Sequence, residues 1–112
     1  MPGNWSTLTS CPKSPALAGS RAFLEREEFP ASIHWTEITT PAQKHYHKRL
    51  TEVYYVLECA DEVRMELDGE ETSVRPGIAI FIPPGVRHRA LSAMRALIVV
   101  VPKFDPADEW FD

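Results

Sequence analysis

From Ser32 onward, apolar and polar positions alternate in short runs separated by Gly, Pro and Asp. Period-two alternation sends successive side chains to opposite faces and marks a half-buried strand. The first run sets Ile33, Trp35 and Glu37 against His34, Thr36 and Ile38, and stops at Thr40-Pro41. Glu52 to Glu58 is rich in β-branched and aromatic residues, which favour a pleated surface, with Glu52, Tyr54, Val56 and Glu58 on one face and Val53, Tyr55 and Leu57 on the other. Val63, Met65 and Leu67 then alternate with Glu62, Arg64 and Glu66, and Asp68-Gly69 predicts a two-residue type I′ hairpin returning along Glu71 to Arg75. Ile78 to Ile82 is a continuous apolar run between Arg75-Pro76-Gly77 and Pro83-Pro84-Gly85, the pattern of a strand buried on both faces. In Val86 to Leu91, His88 and Ala90 share one face, while Arg87 and Arg89 fall on the solvated side; Ala96 to Val101 is the last clear strand.

No helical periodicity extends beyond about ten residues, so the expected class is all-β, a sandwich or barrel. At 112 residues the chain is one domain with no room for a second. Residues 1–31, rich in Ser, Pro, Gly and Thr and then charged, predict an irregular N-terminal arm that covers one end of the barrel or is exchanged between subunits. The barrel domain is expected over residues 32–102, followed by a tail, 103–112, whose Trp110 and Phe111 pack back on the barrel or on a partner. Twelve basic against sixteen acidic residues give a net charge of −4 without a basic block, which argues against a nucleic-acid partner. No apolar run approaches the roughly 20 residues needed to span a bilayer. Cys11 and Cys59, far apart in unlike segments, read as reduced thiols. Leu8-Thr9-Ser10-Cys11 resembles a lipoprotein cleavage box, but Met1 to Thr7 has neither a basic start nor an apolar stretch, so a cytoplasmic protein is expected.

The chemistry concentrates in His45-Tyr46-His47, two imidazoles projecting from one face of an extended segment, with Glu52 at the head of the next strand. His88, just past Pro83-Pro84-Gly85, supplies a third nitrogen. Three neutral imidazoles and one carboxylate suit a first-row divalent metal better than Ca²⁺ or Mg²⁺, which prefer oxygen shells. His34, a lone imidazole among apolar neighbours, is read as a packed residue and not as a ligand. No Gly-rich phosphate loop, nucleophile elbow or CxxC is present.

These residues resemble the two motifs of the cupin family. His45, His47 and Glu52 match the first motif with a four-residue gap, and Gly77, Pro83, Gly85 and His88 fall at the spacing of the second. Thr39, Cys59 and Ser92 replace residues of the motifs that are not ligands, two glycines and an asparagine. The resemblance, covering roughly Ile33 to Val101, implies a single double-stranded β-helix, or jelly roll, with a metal on His45, His47, Glu52 and His88. Metal-bearing cupins include dioxygenases, isomerases, decarboxylases and binding proteins, and fold does not choose among them. The expectation is a metal-binding protein using zinc, nickel, iron or manganese in a small-molecule reaction of dioxygenase, isomerase or lyase type. A non-catalytic binding or sensor cupin is the alternative, and a structural dimerisation barrel comes third. Tyr54, beside Glu52 on the same strand face, is the nearby candidate for an acid or hydrogen-bond donor. Three Trp, an apolar last strand and flanking arms predict a homodimer.

Overall fold

A computed structural model describes residues 9–10, 20–60 and 63–112. Every strand pair in it is antiparallel. The elements are β1 (Thr9–Ser10), β2 (Ser20–Leu24), β3 (Ser32–Ile38), β4 (Thr51–Cys59), β5 (Val63–Leu67), β6 (Glu70–Val74), β7 (Ala79–Ile82), β8 (His88–Ala90) and β9 (Met94–Val101), with a 3-10 turn at Pro106–Asp108. One sheet has the order β1-β2-β3-β9-β4-β7 and the other β6-β5-β8. Two bridges extend the small sheet: His45 pairs with His88 beside β8, and Tyr46 pairs with Trp110. This two-sheet antiparallel arrangement is compatible with the jelly roll that the resemblance implies; no strand pairing closes the sheets into a barrel among the described residues.

The core lies where the inner faces meet. Tyr54 and Val56 of β4, Ile80 and Ile82 of β7, and Ile98 and Val100 of β9 pack with Val63 and Met65 of β5 and Ala90 of β8. The expected alternation holds in β3, whose inner face is His34, Thr36 and Ile38. In β4 it holds as far as Val56; a register shift between Val56 and Glu58 then leaves Glu58 exposed instead of on the inner face with Glu52. Asp68 (φ 49°) and Gly69 (φ 83°) adopt the left-handed pair that a type I′ hairpin requires. Pro76-Gly77 and Pro84-Gly85 form two further turns, closed by Ile78 N–H to Arg75 O (3.2 Å) and Val86 N–H to Pro83 O (3.4 Å), each with proline second and a positive-φ glycine third.

Three expectations need correction. The run Ile78 to Ile82 is not buried on both faces: β7 is the edge strand of the large sheet and alternates exposed and buried, with Phe81 65% exposed. Residues before Ser32 are not wholly irregular, since β1 and β2 add to the other edge through β3. Glu66, expected outside, is buried because Lys44 Nζ (2.7 Å) and Arg89 Nε (2.9 Å) neutralise it there. Cys11 and Glu62 lie outside the described residues. No helix among the described residues is long and apolar enough to cross a membrane.

Candidate metal centre

Backbone pairing brings the three imidazoles together. His45 and His88 are directly opposed and exchange both hydrogen bonds, His45 N–H to His88 O (3.1 Å) and His88 N–H to His45 O (2.9 Å), so their side chains leave the same face. His47 follows two residues on, and its carbonyl accepts the Gly85 N–H at 2.7 Å, which docks the Pro-Pro-Gly turn beside it. Glu52 arrives from β4, between Ile82 of β7 and Val100 of β9. One ligand atom from each of His45, His47, Glu52 and His88 lies within 4.8 Å of all the others, and all four residues are at most 2% exposed.

Each ring is fixed by its outward nitrogen. His45 Nδ1 meets Gln43 O at 3.2 Å, His47 Nδ1 meets Asp108 O at 2.6 Å, and His88 Nδ1 meets Val86 O at 2.9 Å. A carbonyl can only accept, so each Nδ1 carries the proton and each neutral ring turns a bare Nε2 lone pair inward. Those nitrogens surround a carboxylate: Glu52 Oε1 is 3.1 Å from His47 Nε2 and 3.2 Å from His88 Nε2. His45 Nε2 and Glu52 Oε2 are buried without any hydrogen-bond partner. Lone pairs facing lone pairs in a dry site repel one another unless a proton or a cation lies among them. The donor set and its two orphaned atoms therefore fit a divalent transition metal.

The proton affinities report the same arrangement. Burial, with the neighbouring His88, pushes His45 down to about 3, so it stays neutral. Burial pushes Glu52 up, but His47 and His88 outweigh it and hold the carboxyl well below the usual range. Burial also opposes charging of His47, yet hydrogen bonding and attraction to Glu52 raise it. Tyr54 is 2% exposed with its ring edge-on to His88 at 6.0 Å, and burial pushes its hydroxyl well above the ordinary phenol value.

A model of the cupin domain matches residues 36–101, more than half of the chain. The chain belongs to the cupin family. It is similar over 95% of its length, at 36% identity and a TM-score of 0.78, to a protein from Planctomyces limnophilus, of which it covers 90%. This cupin also shares the fold of Pac13 from Streptomyces, described as a unique nucleoside dehydratase, at 18% identity and a TM-score of 0.74, covering 95% of this chain and 83% of that one. A cupin protein from Bacteroides fragilis is more distant, at 20% identity and a TM-score of 0.57 over 66% of this chain and 67% of that one. No curated protein matches the chain.

The four expected ligand residues thus converge, with Tyr54 beside them, and His34 lies elsewhere, its Nε2 2.8 Å from Ser32 Oγ. Sequence reasoning missed the contribution of the C-terminal segment. Asp108 supplies the carbonyl that orients His47, and its buried carboxylate accepts N–H from Lys48 (3.1 Å), Arg49 (2.9 Å), Leu50 (3.0 Å) and Trp110 Nε1 (3.0 Å). The signal was Asp105-Pro106, an N-cap and first-turn proline that predicts an ordered turn in an otherwise loose-looking tail.

Proposed function

We propose that this cupin binds one divalent transition metal through His45, His47, Glu52 and His88 and uses it in a small-molecule reaction of isomerase, lyase or dioxygenase type. The observation that carries this reading is the tethering of all three imidazoles by Nδ1 to backbone carbonyls, which aims three Nε2 lone pairs at one buried carboxylate. A bound ion would supply Lewis acidity toward a ligand oxygen at positions the four side chains leave open. Tyr54, kept protonated by burial, is proposed as a hydrogen-bond donor to that ligand. The dehydratase activity of Pac13 adds nucleosides to the compounds worth testing and does not choose among the reaction types.

The partner proposed for the outer face of the large sheet is a second copy of the chain. Tyr55, Leu57, Phe81 and Val101 are exposed there, and the register sets Val53 opposite both Phe81 and Val99, and Tyr55 opposite Leu97. An apolar stripe crossing three adjacent strands is self-complementary under two-fold symmetry.

Elemental analysis after desalting of protein loaded with zinc, nickel, manganese or anaerobic iron tests the metal, with about one ion per chain expected. Turnover by each loaded form over diketones, phenols, thiols, sugars and nucleosides tests catalysis. Retention of no metal overturns the centre; tight ligand binding without turnover in any form assigns a sensor instead.

A further inference from the structure

We propose, resting on the metal-centre reading above, that a ligand reaches the ion from the groove where β3, β4 and β9 meet at one end of the large sheet. Its apolar body stays in that groove while one slim hydroxyl or carbonyl group passes Ile38 toward the metal. All four ligand residues are at most 2% exposed, so a substrate needs a route between the side chains around them. The space beside them, bordered by His45, Tyr54, Ile38 and Ala42, has room for about one water. A group of one or two heavy atoms fits there, and the remainder of a substrate has to lie elsewhere.

The groove is its neighbour. The register sets Ile38 of β3, Met94 of β9 and Cys59 of β4 in one row and Glu37, Arg95 and Glu58 in the next, and both rows line a groove of about 400 Å³. Sites for small ligands run from roughly 300 to 1,000 Å³, so this volume holds the body of one. Two features join the groove to the space beside His45. Ile38, 3% exposed, is a wall of both. The loop after β3 runs along both as well, with Thr39 on the groove and Ala42 and Gln43 on the inner space. Ile38 is therefore the partition, and a β-branched side chain has few rotamers with which to step aside. Whatever passes it must be narrow.

The lining selects the chemistry of the body. Ile38, Cys59, Ala60, Ala93 and Met94 present apolar surface, and a methionine adapts to irregular shapes. The Arg95 guanidinium is engaged by the carboxylates beside it, with Nη1 3.2 Å from Glu58 and Nε 3.8 Å from Glu37. Two acids and one base leave the groove net negative, so an anionic body meets like charge there. The ligand class is an uncharged molecule with a ring or branched chain and a terminal hydroxyl or carbonyl.

The test uses the full chain loaded with Co²⁺ and two probes that share a one-atom head, methanethiol and phenylmethanethiol. Each is titrated against the visible cobalt spectrum of wild type, Ala93→Trp, Ala60→Trp and Ile38→Val, with metal content measured by elemental analysis. Ala93 and Ala60 are exposed, so a tryptophan at either fills the groove without entering the core. Wild type is expected to bind phenylmethanethiol about tenfold or more tighter than methanethiol, the gain from burying a ring. Each tryptophan variant is expected to erase that advantage, with methanethiol within about twofold of wild type and cobalt still at one per chain. If one of them does not fold, the other is read. Ile38→Val, which thins the partition, is expected to speed the spectral change with either probe severalfold in stopped flow. An advantage that survives in the folded tryptophan variants, or is missing in wild type, overturns the groove as the seat of the body. Unchanged rates in Ile38→Val overturn the passage past Ile38. A wild type that takes up no Co²⁺ overturns the metal reading itself, and this inference with it.

Discussion

Replacing Asp108 with asparagine keeps its shape and removes the charge that four N–H donors share. The amide has one acceptor oxygen, and its NH₂ group would face donors. Burial pushes the Asp108 carboxyl up, but hydrogen bonds from Trp110 and from the Arg49, Lys48 and Leu50 backbone more than offset this and lower it from 3.8 to about 2. At ~1.36 kcal/mol per pKa unit, the folded chain favours the ionised form by about 2 kcal/mol. Hydrogen bonds to charged groups contribute roughly 1.5–3 kcal/mol each and are far from additive, which leads to the same range. Because the folded pKa is depressed, this stability is fully present above the unfolded value near 4 and is lost as pH falls through about 2. Asp108→Asn should therefore cost about 2 to 3 kcal/mol by urea denaturation at pH 7, with the gap to wild type narrowing below pH ~4. Metal affinity should fall as well, because loosening the segment that the carboxylate anchors shifts the Asp108 carbonyl that orients His47. A loss under ~0.5 kcal/mol, equal at pH 7 and pH ~3.5, would show that water replaces the carboxylate and that the tail does not brace the site.

His47→Ala and His88→Ala should each lower metal content after desalting and reduce the melting temperature, whereas His34→Ala should leave metal content unchanged, because His34 bonds Ser32 and packs edge-on to Phe104 at 5.5 Å. Gly85→Val should cost about 1 kcal/mol or more and disturb metal binding, through its φ of 90° and not through crowding, since a Cβ there meets nothing within 4 Å; an unchanged melting temperature would contradict this. Phe81→Glu, placing a charge at the edge-strand end of the exposed stripe, should reduce the light-scattering mass from twice the chain mass to 12.7 kDa, and a wild type already at 12.7 kDa would remove the dimer.

The sequence carried the candidate site well where local geometry governs. His45 and His47 share a face because they are two apart in an extended segment, and Gly77 and Gly85 mark turns that only a positive φ closes. It failed where the outcome depends on distant partners. Nothing local in Ile78 to Ile82 says that β7 ends a sheet, so its apolar outer face read as buried. Glu58 kept its place in an alternation that a register shift against β9 breaks. Glu66 looked like a surface charge until Lys44 and Arg89, 22 and 23 positions away, came beside it. Asp108 was lost among the acidic residues of the tail, because its partners at Lys48 to Leu50 lie about sixty residues earlier.

The hydrogen bond from His47 to Asp108 spans 61 positions of the chain. At roughly 5–20 residues per second, a ribosome takes about 3 to 12 seconds to travel that distance. For that interval His45, His47 and Glu52 exist before the Asp108 carbonyl that orients His47, so an ion captured early would meet a site whose shape is not yet set. An element found in purified protein would therefore reflect the metal supply of the expression host as well as the preference of the finished centre, and refolding the chain against defined metal mixtures would separate the two.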